Sequence, residues 1–331
     1  MVGIPKHKMN ILITGSAGFI GFHLAKQLLV DSKDKIVGID NLSNYYSPKL
    51  KRDRIKQLQK INKKNLIFHK IDLKNINGLR KIFKKYKFSY VINLAAQAGV
   101  RYSVEKPDTY FDSNILGFYN ILKCSKEFKV KHLIVASSSS VYGDTSEISK
   151  EESNTDNPLQ FYAATKKTNE IISHSFSNIY KLPITVVRFF TVYGPWGRPD
   201  MSLYKFVDGI INNKKIKLFN KGLHYRDFTY VDDTVKGVIS LIKKIPRTKI
   251  PFQIYNLANG KSIYLKNFLK EIERQLNKKA KIIYVKKQQG DVFKTQGSIL
   301  KASKDFNYSP KTNYKQGISN FLSWYFEYNK K

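Results

Sequence analysis

Asn10-Ile-Leu-Ile-Thr-Gly-Ser-Ala-Gly-Phe-Ile-Gly-Phe-His-Leu-Ala-Lys-Gln-Leu-Leu29 sets the frame for the rest of the chain. An apolar run, Ile11 to Ile13, meets Gly15, Gly18 and Gly21, and a helical pattern follows through Ile20, Leu24, Leu28 and Leu29. Strand, glycine-rich turn and helix in that order present backbone N–H groups to a diphosphate. Gly15 permits the tight turn, Gly18 lets the backbone approach the phosphates, and Gly21 lets helix and strand pack closely. The helix N-terminus adds partial positive charge. The spacing is G-x-x-G-x-x-G, a variant of the G-x-G-x-x-G dinucleotide fingerprint. Three glycines alone specify little, so the weight falls on the residues C-terminal to them.

The 331 residues suffice for one large domain or two modest ones, and 42% hydrophobic content with 13% aromatics indicates a globular chain. The lone cysteine, Cys124, cannot form an internal disulfide and reads as core filler in a cytoplasmic protein. Lys+Arg 59 against Asp+Glu 25 gives a net charge of +34. The lysines are dispersed, with no arginine-rich tail, zinc spacing or RNA-binding aromatic signature, so solvated faces are favoured over a nucleic-acid surface. No apolar stretch is long enough to span a membrane. The start, Met1 to Lys8, is short and polar, and the glycine-broken segment after it is wrong for a signal peptide; Met9 is a second candidate start.

Lys35-Ile-Val-Gly-Ile-Asp40 reads as a second strand ending in a carboxylate, 25 residues beyond Gly15. Such folds place there the acid that binds the adenosine ribose, and a carboxylate would repel a 2′-phosphate, so NAD is favoured over NADP. A basic helix over 49–61 precedes a third strand, Leu66-Ile-Phe-His69, and then Asp72-Leu73. Tyr90-Val-Ile-Asn-Leu-Ala-Ala96 reads as a fourth strand whose small residues, Ala95 and Ala96, let a cofactor lie against backbone. A long helix over 107–128, a fifth strand (131–136) and a sixth (183–189) complete the pattern. Strands alternating with helices imply a Rossmann-type doubly wound parallel sheet of the α/β class.

Ser137-Ser-Ser-Ser140 sits directly after the fifth strand, where hydroxyls point into the cleft. Tyr162-Ala-Ala-Thr-Lys166 comes 24 residues after Ser138, within a helical stretch. Residues four apart share a helical face. A neighbouring ammonium is expected to lower the tyrosine's pKa from about 10 toward neutrality, making it a usable base.

Taken together these residues resemble the extended short-chain dehydrogenase/reductase family, and within it the nucleotide-sugar epimerases. The resemblance runs through Thr14–Gly21, Asp40-Asn-Leu42, Asn93 to Arg101, Ser137 to Gly143, Tyr162 to Lys166, Arg188-Phe-Phe-Thr-Val-Tyr-Gly-Pro195 and Arg226 to Asp233. Asn41-Leu-Ser-Asn-Tyr-Tyr46 and the stretch from Thr191 to Met201 are most similar to UDP-glucuronate 4-epimerases. The resemblance implies Tyr162 as base, Lys166 as its electrostatic partner and ribose ligand, and Ser138 as the hydroxyl on the sugar O4. It implies that Gly15, Gly18, Phe19, Ile20, Gly21, Asp40, Asn41, Asp72, Leu73, Ala95 and Ala96, with Tyr162 and Lys166, bind NAD. Arg226 would contact the diphosphate and Asp291 the uridine ribose, while Ser139, Ser140, Thr191 and Arg198 would surround the sugar's C5 carboxylate. No metal is expected.

Absences discriminate too. Related dehydratases carry Asp-Glu after the serine or threonine, and related decarboxylases a Glu ahead of Val-Tyr-Gly; this chain has Ser139 and Ser140. Galactose-type epimerases usually carry Asn where this chain has Thr191. The C-terminal pattern departs from the family at Gly290-Asp-Val-Phe293 and Gly297-Ser298. The expected reaction is C4 epimerisation of UDP-glucuronate to UDP-galacturonate. The alternatives are a UDP-glucose/galactose or N-acetylated substrate and, in another class, a non-catalytic NAD-dependent nucleic-acid-binding or regulatory protein. Residues 1–190 with 231–259 are expected to form the NAD-binding domain, and 191–230 with 260–331 a smaller discontinuous substrate domain. The helical stretches Thr109–Phe128 and Phe161–Tyr180 pair across a two-fold axis in relatives, which implies a homodimer.

Overall fold

The computed structural model describes residues 9–287 and 290–330. The polar start, Met1 to Lys8, lies outside the described residues. Apolar runs too short for helices become the strands β1 (Asn10–Thr14), β2 (Lys35–Asp40), β3 (Leu66–Lys70), β4 (Tyr90–Asn93), β5 (His132–Ser138) and β6 (Ile184–Phe189). After them come β7 (Thr191–Tyr193), β8 (Lys215–Phe219), β9 (Tyr225–Tyr230), β10 (Phe252–Leu257), β11 (Ser262–Tyr264) and β12 (Lys281–Val285).

Seven strands make one parallel sheet in the order β10-β6-β5-β4-β1-β2-β3. Both faces are covered, which is why its strands read as nearly unbroken apolar runs. In β1, Ile11 and Ile13 pack with Phe22 and Leu24 of the helix Phe19–Asp31, whereas Leu12 belongs to the other core with Leu79, Phe83 and Phe118. Strand order reverses between β1 and β4, which opens a crevice beyond their C-terminal ends. The helix Val231–Ile242 packs on the helix Phe19–Asp31, and β10 pairs with β6 from Phe252 opposite Ile184 to Leu257 opposite Phe189. Two small sheets, β11-β9-β7 and β12-β8, lie apart from the large one. Phe228 stacks on Phe268 there at 4.0 Å, and Trp324 lies over both Trp196 and Tyr328.

Three elements differ from the sequence reading. The fifth strand runs on to Ser138, so Ser137 and Ser138 lie within it instead of after it. The fourth strand stops at Asn93 instead of Ala96, because side chains take over its backbone N–H groups. Thr14 Oγ1 accepts from the Ala95 N–H at 3.0 Å, and Asn114 Oδ1 from the Gln97 N–H at 2.8 Å. The helix read as continuous over 107–128 is interrupted by a π-helical stretch, Phe111–Leu116. The same Asn114 lies within it and donates to the Gln97 carbonyl and the Thr165 hydroxyl, so tertiary bonds offset the irregular turn. No helix among the described residues is long and apolar enough to cross a membrane.

Candidate active site

A cleft of about 1160 Å³ lies at the C-terminal ends of the central strands and extends to the two small sheets. Every residue named from the sequence as a ligand or catalyst lines it: Gly15, Gly18, Phe19, Ile20, Gly21, Asp40, Asn41, Asp72, Leu73, Ala95 and Ala96, then Ser138, Ser139, Ser140, Tyr162 and Lys166, then Thr191, Arg198, Arg226 and Asp291.

The glycine-rich turn has no slack. Gly15 holds φ +69°, and a Cβ on Gly21 would stand 2.2 Å from the Gly15 carbonyl oxygen. Gly18 caps the helix Phe19–Asp31 without a side-chain hydrogen bond, and no acid sits in the first turn. The first N–H groups of that helix are thereby left for an anion. Asp40 ends β2, with one carboxylate oxygen on the Leu42 N–H at 2.8 Å and the other on the Ala17 N–H at 3.1 Å. Each oxygen keeps a lone pair for a hydroxyl donor. Asn41 donates to Asp72 at 3.0 Å, holding the two loops together. These donors and acceptors fit an adenine dinucleotide with a free 2′-hydroxyl.

Ser138 ends β5 and hydrogen-bonds Tyr162. Its oxygen also accepts the Ser140 N–H at 3.2 Å. Lys166 is almost fully buried and donates to the Ala136 carbonyl at 2.8 Å, with its Nζ 5.9 Å from the Tyr162 ring centre. Burial lowers its pKa to about 8, opposed by the Glu170 carboxylate one turn further along the helix. The expected lowering of Tyr162 does not appear. Burial raises its pKa, and the Ser138 hydrogen bond and the Arg198 cation only partly offset this. The cation acting on the phenol here is Arg198, while Lys166, its pKa lowered by burial, donates to the Ala136 carbonyl.

Arg198 forms a forked ion pair with Asp200 at 3.0 and 2.5 Å, and Tyr45 donates to the same carboxylate at 3.3 Å. Its charge is thus already compensated at the cleft wall. Arg226 is held by three carbonyls, those of Tyr225, Val292 and Phe293, at 2.8 to 3.2 Å. Asp291 receives Arg101 at 3.2 Å, and that guanidinium lies 4.3 Å over the Phe219 ring.

Several lining groups carried no role in the sequence reading. Tyr45, Arg101, Gln160, Phe219 and His224 all face the cleft, and Gln160 Oε1 and His224 Nε2 are buried without a partner among the described residues. Phe219 and His224 belong to no spaced motif, whereas Tyr45 and Arg101 lie inside stretches that carry the family resemblance. The buried Glu170–Arg188 pair was also unassigned. Arg188 grips both carboxylate oxygens at 2.7 and 2.9 Å, and Ser137 donates to one of them at 2.5 Å.

The same shape and much of the same sequence occur in known proteins. A protein from Staphylococcus aureus called Protein CapI is 46% identical over 98% of this chain and all of its own length. A UDP-glucuronate 4-epimerase from Thermodesulfobacterium geofontis is 42% identical over 95% of both. The crystal structure of a UDP-glucuronic acid 4-epimerase from Bacillus cereus, in complex with UDP-glucuronic acid and NAD, superposes with a TM-score of 0.91 at 30% identity, over 97% of this chain and all of that one. The profile of the NAD dependent epimerase/dehydratase family matches residues 11–258, and the chain belongs to that family.

Proposed function

We propose that this protein is a UDP-glucuronate 4-epimerase, interconverting UDP-glucuronate and UDP-galacturonate. What carries the proposal is the company Tyr162, Ser138 and Lys166 keep: they share one cleft with an uncapped glycine-rich turn and with the neutral donors Ser139, Ser140 and Thr191. The turn and Asp40 would hold NAD, which when bound would supply at C4 the acceptor and later the donor of a hydride. Tyr162 takes the O4 proton as C4 is oxidised and returns it when C4 is reduced on the opposite face. Ser138 fixes the O4 hydroxyl against Tyr162, and Lys166 supports the phenolate and a ribose hydroxyl of the cofactor. Burial raises the Tyr162 pKa, so proton removal needs positive charge beside the phenol, which Arg198 and the Lys166 ammonium on the same helical face supply.

A C4 ketone turns the C5 carboxylate into a β-keto acid. Ser139, Ser140 and Thr191 hold that carboxylate so that the C5–C6 bond stays out of line with the carbonyl π system. Arg198, paired with Asp200, adds a directional donor without an uncompensated charge. Arg226 binds the diphosphate and Asp291 the uridine ribose.

The chain divides, in this proposal, into an NAD half (1–190, 231–259) and a sugar half (191–230, 260–331). It works as a homodimer, supported by exposed apolar side chains on the two helical stretches implied in pairing: Phe111, Leu116 and Tyr119 on one, Ile171, Ile179 and Tyr180 on the other. A reducing cytosol is the assigned compartment, on the strength of the lone cysteine.

The test is turnover of UDP-glucuronate by the purified protein with no more than one equivalent of NAD. UDP-galacturonate is expected. UDP-pentose as the main product, or no turnover while UDP-glucose is consumed, would overturn the assignment.

A further inference from the structure

Arg54, on the helix Pro48–Asn62, is fully buried, yet it lies outside the cleft and takes no part in the proposed reaction. Among the described residues its guanidinium pairs with no carboxylate. One Nη donates to the Ala17 carbonyl at 2.8 Å and to the Tyr46 hydroxyl at 2.7 Å; the other donates to the Trp196 carbonyl at 2.6 Å and the Gly197 carbonyl at 3.5 Å. Ala17 belongs to the glycine-rich turn, and its N–H is the one bound by Asp40. Trp196 and Gly197 immediately precede Arg198. One cation therefore joins a peptide of the cofactor turn to two peptides of the sugar-side loop.

That loop needs holding. Trp196 adopts φ +57°, a conformation unfavourable for a bulky side chain. Its neighbour Pro195 is held from the same direction, because the buried His23 of the first helix donates from Nε2 to the Pro195 carbonyl at 2.8 Å. Consecutive carbonyls at 195, 196 and 197 thus end on groups from the dinucleotide-binding half. A buried guanidinium is costly to desolvate, and an apolar residue would fill the space more cheaply if packing were all that mattered.

We propose that Arg54 is a positioning residue that couples the NAD-binding turn to the loop carrying Arg198, so that cofactor occupancy and the grip on the sugar carboxylate depend on each other. The part concerning the sugar rests on the epimerase assignment. When the grip loosens, the 4-keto sugar loses CO2: the C5–C6 bond breaks, its electron pair forms the C4–C5 enolate, and C5 takes a proton to give a UDP-4-keto-pentose.

Arg54→Lys keeps the charge but cannot fork between Ala17 and Trp196. In the NAD-loaded protein, the KM for UDP-glucuronate should rise about tenfold and the decarboxylated share of product about tenfold, with kcat falling less. The stabilisation that saturating NAD adds to Tm should shrink by about half. Tyr46→Phe removes one acceptor and should move the KM and the product share the same way by about twofold. A folded Arg54→Lys with wild-type KM, partition and NAD-induced Tm shift overturns the proposal. Should that variant not fold, an unchanged partition and KM in Tyr46→Phe overturns it. If the wild-type protein itself makes no UDP-galacturonate, the epimerase assignment fails instead, and the NAD-induced Tm shift alone decides on Arg54.

Discussion

The wall of the cleft formed by Gly15, Gly18 and Asp40 and the wall formed by Arg101, Arg198 and Arg226 hold their groups in different ways. On the first, the ligand-facing groups are backbone N–H groups and strand-end carboxylates, set by sheet register and by a turn in which a single added Cβ collides with backbone. On the second they are long cations, Arg101 and Arg198 on loops and Arg226 on β9, each aimed by a carboxylate or by backbone carbonyls. The first wall is fixed by the backbone and tolerates little change. The second is assembled from side-chain bonds and can be altered piece by piece, which suits the half of a cleft that must recognise a particular sugar.

Substitutions on the two walls, and between them, separate these two ways of building a site. The largest expected effect lies between the walls. Tyr162→Phe should lower kcat by about 10² to 10⁴-fold while leaving the NAD-induced Tm shift intact. Glu170→Gln weakens the pairing of Arg188 in the core beneath Lys166 and should cost about 3–5 kcal/mol of stability, read by denaturant unfolding. It also carries a pH signature. Activity should fall as pH rises past about 8, where Lys166 loses its proton. Because the Glu170 charge holds that pKa up, the Gln variant should lose activity at lower pH. The stability sign follows from the same shift: folded Lys166 binds fewer protons than unfolded Lys166, so this group makes stability rise with pH from about 8 to the ordinary lysine value of 10.5.

On the backbone-built wall, Gly21→Ala should cost about 1–3 kcal/mol of stability, seen as a lower Tm, because the Gly15 carbonyl must move. NAD affinity should fall with it. On the side-chain wall, Thr191→Ala should leave stability and NAD binding unchanged and weaken UDP-glucuronate binding by about 1 kcal/mol, one hydrogen bond's worth, seen in KM. The smallest effect belongs to Arg101→Ala. Its ion pair with Asp291 is half-exposed, so Tm should move by less than the equivalent of about 1 kcal/mol. Equal, global losses for Thr191→Ala and Gly21→Ala would erase the distinction between the walls.

The same contrast explains what the sequence made legible. The six strands from β1 to β6 were readable because each carries a short apolar run in a parallel sheet covered on both faces. The cofactor wall was readable because its chemistry needs glycine and a carboxylate at set distances. The interrupted helix at Phe111–Leu116 was not, since Asn114 stabilises it through Gln97 and Thr165, residues 17 and 51 positions away. Nor were the partners of Arg226, the Val292 and Phe293 carbonyls, which lie 66 and 67 positions away. The Tyr162 environment failed for a related reason: helix spacing puts Lys166 on the right face, but it cannot show that the ammonium turns to the Ala136 carbonyl.

In the proposed epimerisation C4 of the sugar loses and regains one hydride inside the cleft while Tyr162 handles only the O4 proton. UDP-glucuronate deuterated at C4, turned over in ordinary water with one equivalent of NAD, tests this directly. The expected product is UDP-galacturonate that keeps its deuterium at C4. Deuterium lost to solvent, or product epimerised with a solvent proton at C4, would contradict it.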